Sequence, residues 1–372
     1  MASPTALMLA FAPLFGDATP AALGLGQENL IQTEISCGSF CLNSANAHFD
    51  VAMNAGFSKA QLPQSKSKLD SSLNLSPISV TTYDFSWHPF YDFVVGAGYR
   101  TSSRSTERSQ AGKTVKRVIA NSRDIPVSIA ARPAESFSFA VRGILRNIEV
   151  SQENPNTPGL KSGVYSASPH RWSMDALWQK NESTGYALTY LSPSRKTMTK
   201  TSVASTSSAT ALAPSWTDPQ EFTFSMAHFS SFRPPDGVVF GPFENVFHAS
   251  LTTVTWESGK PVAYAALASS SVGKDGWSLT DNSSQTQEFI FDQLDPSLSG
   301  SAGLESTWLR TSLGAISTYT HFRFNHIATR KNSSGWQSGF GLGFSNRYLS
   351  LQASTVWREE DAGYAFGISS SF

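Results

Sequence analysis

The chain is short of charge, short of cysteine and without a long apolar run, and each shortage removes a class of protein. Charged residues make up 15% of 372, against roughly 25% in an ordinary soluble protein. Bases and acids number 28 each and cancel, so the basic footprint of a nucleic-acid binder is missing. No uncharged apolar window approaches the ~20 residues that a spanning helix needs. The two cysteines, Cys37 and Cys41 in SCGSFC, have only His48 close by, too few ligands for a closed zinc site. A small disulfide loop and two free thiols both stay open for them. GxSxG, HExxH, Walker and dinucleotide motifs are all absent, so no enzyme, cofactor or metal is expected. The nearest approach to a catalytic pair is His228 with Ser230, two residues apart. Serine is common enough along these runs for chance to explain it.

What the chain has is aromatic residues (12%) and small polar ones. They alternate. In the final run, DAGYAFGISSSF, Tyr364, Phe366, Ile368 and Phe372 share one parity with Ser370, while Gly363, Ala365, Gly367, Ser369 and Ser371 share the other. A strand sends alternate residues to opposite faces, so one face is apolar and the other nearly bare. The same pattern recurs in Phe340, Leu342 and Phe344 against Gly339, Gly341 and Gly343, and in Phe93, Val95, Ala97 and Tyr99 against Gly96, Gly98 and Arg100. The composition alone fits a membrane β-barrel and a large soluble sandwich or propeller equally.

Run length and punctuation favour the barrel. The runs span about ten residues or more, longer than the 5–6 of a soluble strand and suited to a tilted bilayer crossing. Trp and Tyr stand near run ends, as in Tyr99, Trp172, Trp178, Trp336 and Trp357, where interfacial girdles belong. Short turns such as 88–92, 132–135 and 345–348 alternate with polar stretches at 104–117, 151–162, 199–219, 274–284 and 325–333. The expected runs are 47–58, 77–88, 92–103, 118–132, 135–150, 163–179, 184–198, 220–231, 244–257, 261–273, 300–308, 310–324, 334–345, 347–358 and 361–372, with a further candidate at 285–292. Single-chain bacterial barrels carry an even number. The expectation is therefore an all-β, transmembrane antiparallel β-barrel of about 14 strands, with 12 and 16 open, over residues 47–372. The Pro-Gly stretch 232–243 is read as a packed loop.

Residues 1–46 form a second unit. They lack sustained alternation, carry only Asp17, Glu28 and Glu34 as charges, and no base precedes Lys59. The opening MASPTALMLAFAPLF thus lacks the positive n-region of a signal peptide, and the expectation is that a signal has already been removed. Leu7, Met8, Phe11 and Phe15 lie at roughly helical spacing, and Pro4, Pro13 and Pro20 limit any helix to short pieces. Inside a barrel this segment is a lumen plug; beside a soluble sheet it is a packed arm. In the plug reading those four residues offer apolar surface to a ligand. Arg132, Arg142 and Arg146 share the non-lipid parity of one hairpin and are placed either to meet a carboxylate head group or to pair with acids such as Asp50 and Asp84.

At GDATPAALGLGQ the chain resembles the opening of the FadL-type long-chain fatty-acid and hydrophobic-compound transporters. That family has an Asp-Ala pair followed by Asn-Pro-Ala; here Asp17 and Ala18 precede Thr19, Pro20 and Ala21, with Thr19 in place of Asn. AGLESTWLRTSLGAIST (302–318), GWQSGFGLGFSNRYLSLQASTVW (335–357) and IPVSIAARPAESFSFAVRG (125–143) resemble its later hairpins. The resemblance implies a fourteen-stranded barrel of the bacterial outer membrane with a hatch in its lumen, here residues 1–46 and the Asp17, Thr19, Pro20, Ala21 motif. It implies passive uptake of a hydrophobic molecule, which leaves sideways through a wall gap. Short relatives of that kind serve as scaffolds.

The functional expectation is an outer-membrane passive transporter of hydrophobic small molecules. The alternatives are a plugged structural or partner-binding barrel and, last, a general porin. Expected partners are membrane lipids, a hydrophobic ligand and, through the C-terminal strand ending on Phe372, the barrel-assembly machinery. Nucleic acid is not among them.

Overall fold

The computed structural model describes residues 45, 52–62, 73–75, 77–90, 92–110, 113–153, 161–202, 215–218, 220–231, 240–255, 272–273, 276–280, 286–289, 297–311, 313–327, 333–346, 348–358 and 361–371. Fourteen antiparallel strands close into a barrel. The first five are β1 (Met53–Leu62), β2 (Ile78–Phe90), β3 (Phe93–Gln110), β4 (Lys113–Ala134) and β5 (Phe137–Glu153). β6 runs in two pieces, Lys161–Ala167 and Arg171–Asn181. β7 begins as Thr184–Leu191 and continues as Ser194–Thr197 and Thr199–Ser202, and β8 comprises Ser215–Asp218 and Gln220–Ser231. β9 (Phe240–Thr255), β10 (Ser297–Thr311), β11 (Gly314–Ile327), β12 (Ser333–Ser345), β13 (Leu349–Arg358) and β14 (Asp361–Ser371) complete the wall. Closure comes from β14 pairing with β1, Asn54 opposite Ser371 through Gln61 opposite Tyr364. The side chains of Gln61 and Tyr364 also hydrogen-bond there.

The alternating parity explains the wall. Tyr364, Phe366 and Ile368 point outward and are exposed, whereas Gly363 and Ala365 face inward and are buried. Outward too are Tyr83, Phe85 and Trp87 on β2, Phe139, Val141 and Leu145 on β5, and Phe222, Phe224 and Met226 on β8. This continuous apolar belt suits hydrocarbon rather than water. On β5 it runs from Phe137 to Leu145, about 20 Å along the barrel axis at ~3.4 Å per residue and a ~40° tilt. It ends at a polar row joined across the ladders, Lys59–Thr81–Thr101–Arg123–Asn147.

The turns at 135–136 and 182–183 and the turn residues Asp92 and Leu313 lie at one end of the barrel. At the other end the wall is tall: β4 has 22 residues and β3 has 18. The polar stretch 104–117 is therefore largely extended hairpin, β3 and β4 pairing up to Gln110 opposite Lys113, because polar residues keep the strand form once neighbouring chains satisfy their backbone groups. Two expected runs are described only in part. Of 261–273 only Val272–Gly273 is described, and Thr286–Phe289 covers part of 285–292; with Gly276–Thr280 they make a separate three-stranded sheet. Each of the other fourteen expected runs has its counterpart among the fourteen described wall strands. Of the 47–58 run, 47–51 lie outside the described residues and the strand is described from Met53, and the 232–243 loop yields β9 from Phe240 onward.

Candidate functional site

A fourteen-stranded wall encloses a lumen too wide for its own side chains to fill. Its inner face mixes small polar residues with apolar ones such as Val94, Ile144, Ile148 and Val246. Ser173, Asp175 and Thr189 form one cluster, with the Thr189 and Ser173 hydroxyls donating to the Asp175 carboxylate at 2.8 and 3.3 Å. Thr223 bonds Thr252 at 2.9 Å and Ser250 bonds Ser301 at 2.6 Å. Ser173, Ser225, Ala227 and Ser317 face this lumen and are 0% exposed. Ala45 sits within the barrel near the short turns, packed with Val94, Ala130, Ala140 and Leu177, and its carbonyl accepts from Ser138 Oγ at 2.6 Å.

A charged lattice crosses the inner wall from β3 to β8. Asp124 receives Arg146 Nε at 2.9 Å and Arg100 Nη2 at 2.7 Å. Arg146 reaches onward to Asp218 at 3.0 Å, and Ser194 Oγ donates to the same carboxylate at 2.6 Å. Arg171 lies 3.3 Å from Glu221 and donates through Nε to the Ser192 carbonyl at 2.8 Å. Three guanidiniums thus face three carboxylates. Arg146, Asp124, Asp218 and Arg171 are buried, where an unpaired charge is costly.

The lattice overlies a discontinuity in the wall. β6 loses its ladder between Ala167 and Arg171, although Ile148 opposite Ala167 and Ile144 opposite Arg171 keep one register on β5. β7 leaves β6 after Ser192, whose N–H still donates to the Trp172 carbonyl at 2.9 Å, and its ladder resumes at Thr199 opposite Ser166. Pro169 and Pro193 stand inside these breaks, where proline has no N–H to give. Side chains take over: Arg146 N–H donates to His170 Nδ1 at 3.4 Å, and Trp172 N–H to Ser192 Oγ at 2.9 Å.

A second buried polar row lines β9 to β12. His248 Nε2 is 3.6 Å from Glu305 Oε2, Glu305 is paired across the ladder with Tyr319, and His321 lies 3.4 Å from the Gln337 amide.

The residues expected from sequence are not gathered at one point. Arg132 is at a short turn, its N–H donating to the Asp92 carbonyl. Arg142 faces the lumen higher up, with Nε 3.1 Å from Ser173 Oγ. Arg146 is higher still, and its acids are Asp124 and Asp218 rather than Asp50 or Asp84. Leu7, Met8, Phe11, Phe15, Asp17, Thr19, Pro20, Ala21, Cys37, Cys41 and Phe372 lie outside the described residues. His228 is on the outer wall, its Nδ1 3.3 Å from Thr184 Oγ1, with Ser230 exposed beyond it. Sequence reasoning missed the lattice and the break. A signal was present: Ser168-Pro169, Ser192-Pro193 and Asp218-Pro219 recur at intervals of 24 and 26 residues, which bring them to one level when strands fold back on each other.

No protein-family model matches the chain, and no curated protein does. Solved structures match its fold. The CymD monoaromatic hydrocarbon channel gives a TM-score of 0.58 at 10% identity, over 95% of this chain and 97% of the other. The Ralstonia pickettii toluene transporter TbuX gives 0.57 at 11%, over 95% and 98%. A Pseudomonas aeruginosa FadL homologue gives 0.56 at 9%, over 95% and 98%. The chain has the fold of these FadL-type barrels.

Proposed function

We propose that this barrel is a passive route for hydrophobic small molecules across a bacterial outer membrane, with residues 1–46 acting as a hatch in its lumen. One observation carries the reading. Ser173, Ser225, Ala227 and Ser317 face the lumen of a wide barrel, yet water does not reach them. An open aqueous pore would leave such residues wet, which argues against a general porin. The position of Ala45 supports a lumen path for the segment that precedes it. The toluene and hydrocarbon routes named for the neighbouring folds support an apolar solute.

In this reading the wall supplies apolar side chains such as Val94, Ile148 and Val246, and Leu7, Met8, Phe11 and Phe15 of the hatch supply the rest. A ligand gains about 25 cal/mol for each Å² of apolar surface it buries, and passage needs no cofactor. The Asp17, Thr19, Pro20 and Ala21 stretch would turn the hatch. Arg132 and Arg142 are the candidates for a polar head group; Arg146 already serves two carboxylates. Phe372 would complete the strand read by the assembly machinery. The small polar residues of the inner wall also suit a second reading, a permanently plugged scaffold.

Proteoliposomes decide between them. The full chain should admit a toluene-class probe and exclude sugars in a swelling assay. Removing residues 1–46 should change the flux of the probe at least severalfold. Sugar permeation by the full chain overturns the hatch. Exclusion of the probe by the full chain leaves the scaffold.

A further inference from the structure

The breaks in β6 and β7 fall at one depth, and the charged lattice lies across them. We propose that this line is a hinge seam in the barrel wall and that the lattice is its latch. The inference concerns the wall alone and stands whether or not the barrel carries a solute.

Two neighbouring strands lose their mutual ladder over 167–171 and 193–198, while each keeps pairing elsewhere. Below the seam, β6 pairs with β7 from Ser173 opposite Leu191 downward. Above it, Lys161–Ala167 still pairs with β5 and with Thr199–Ser202. Ser194–Thr197 turns instead to Ser215–Asp218. On that side the ladder of β7 with β8 is also interrupted, between Leu191 opposite Glu221 and Ser194 opposite Asp218; the sequence places Pro193 and Pro219 in that interval. Backbone N–H to carbonyl bonds are what make a barrel wall stiff, and a proline withholds one wherever it stands. Prolines confined to one level of adjacent strands therefore make a line of weakness rather than scattered defects.

Side chains brace both sides of that line, and Arg146 crosses it. Arg171, directly below the β6 break, holds the Ser192 carbonyl of β7 and the Glu221 carboxylate of β8. Arg146 of β5 reaches Asp218 on the upper piece of β8, beyond both β6 and β7. Ser194 Oγ ties the upper piece of β7 to the same Asp218. These contacts are side chain to side chain or side chain to backbone, so they can be broken without unfolding a strand. By continuation of the β5–β6 register, Ser168 stands opposite Asn147, in the polar row that borders the apolar belt. The seam thus lies where head groups, rather than hydrocarbon, meet the wall.

The test is hydrogen–deuterium exchange on the full chain in lipid nanodiscs, with heat-modifiable migration on gels as the check of folding. Amides of 164–174 and 189–198 should exchange at least tenfold faster than those of 350–357 on β13. Asp218→Asn should quicken the seam about tenfold further and leave β13 unchanged. Pro169→Val with Pro193→Val restores two donors and should slow the seam, in the native chain and in the Asp218→Asn background. Equal protection of seam and β13 overturns the hinge. A seam unmoved by Asp218→Asn overturns the latch. Should Asp218→Asn fail to fold, the proline double variant still decides, because unchanged seam exchange in it refutes the hinge.

Discussion

The ring of Tyr319 lies against the bare backbone of Gly341, its partner across the β11–β12 ladder. Tyr319 is among the largest fully buried side chains of the described wall, and Gly341 presents no side chain to it. A Cβ at Gly341 would stand 3.1 Å from Tyr319 Cδ2, 3.1 Å from Ser354 Cβ and 3.2 Å from the Ala353 carbonyl. Gly341→Val should therefore cost about 1–3 kcal/mol by overpacking. The urea midpoint of folding into lipid vesicles measures it; a variant as stable as the native chain refutes the contact.

Breaking the lattice should cost more than erasing it. Arg146→Met leaves Asp124 and Asp218 buried with less positive charge beside them, a loss of about 3–5 kcal/mol. Combining Arg146→Met with Asp124→Asn and Asp218→Asn removes the charges together and should recover much of that loss. A triple variant no more stable than the single one would contradict the charge account.

The belt predicts a sharp boundary on β5. Leu145 is 51% exposed on the outer face, and Asn147 follows it in the polar row. Val141→Arg, nearer the middle of the belt, should cost about 2–4 kcal/mol in a bilayer, and Asn147→Arg about 0–1. Equal costs at the two sites would put the membrane elsewhere.

The turn between β10 and β11 depends on one residue. Gly314 has φ of +151°, a conformation that side chains rarely adopt, and an added Cβ would stand 2.6 Å from the Ser345 carbonyl and 2.7 Å from the Phe344 ring. Gly314→Ala should cost at least about 1–3 kcal/mol, whereas Leu313→Ala beside it, 79% exposed, should stay within ~0.5 kcal/mol. Chemical denaturation of both variants makes the comparison.

The alternation that Tyr364, Phe366 and Ile368 display was enough to read barrel, facing and approximate strand number. Strand side chains follow a local rule of period two, so one chain segment reveals its own two faces. The 220–231 run was legible to the residue, with Phe222, Phe224 and Met226 outward. Of the 261–273 run only Val272–Gly273 is described, in the sheet apart from the wall; local alternation does not say which partner strand a run will find. β3 and β4 were read short because residues such as Arg104, Glu107 and Arg117 look like loop, yet a long hairpin satisfies their backbone groups and pairs Arg117 with Glu107 at 2.6 Å.

By itself, then, the order of residues determined that each strand has one apolar and one small or polar face and that the strands are long and joined by alternating short and long connections, because both follow from parity and spacing along the chain. Only the closed barrel decided that Arg146 meets Asp218, 72 residues away, and that breaks near Pro169 and Pro193 fall side by side. Those depend on register between strands, which is a property of the assembled sheet. Charge pairing across several strands leaves no mark within any one of them.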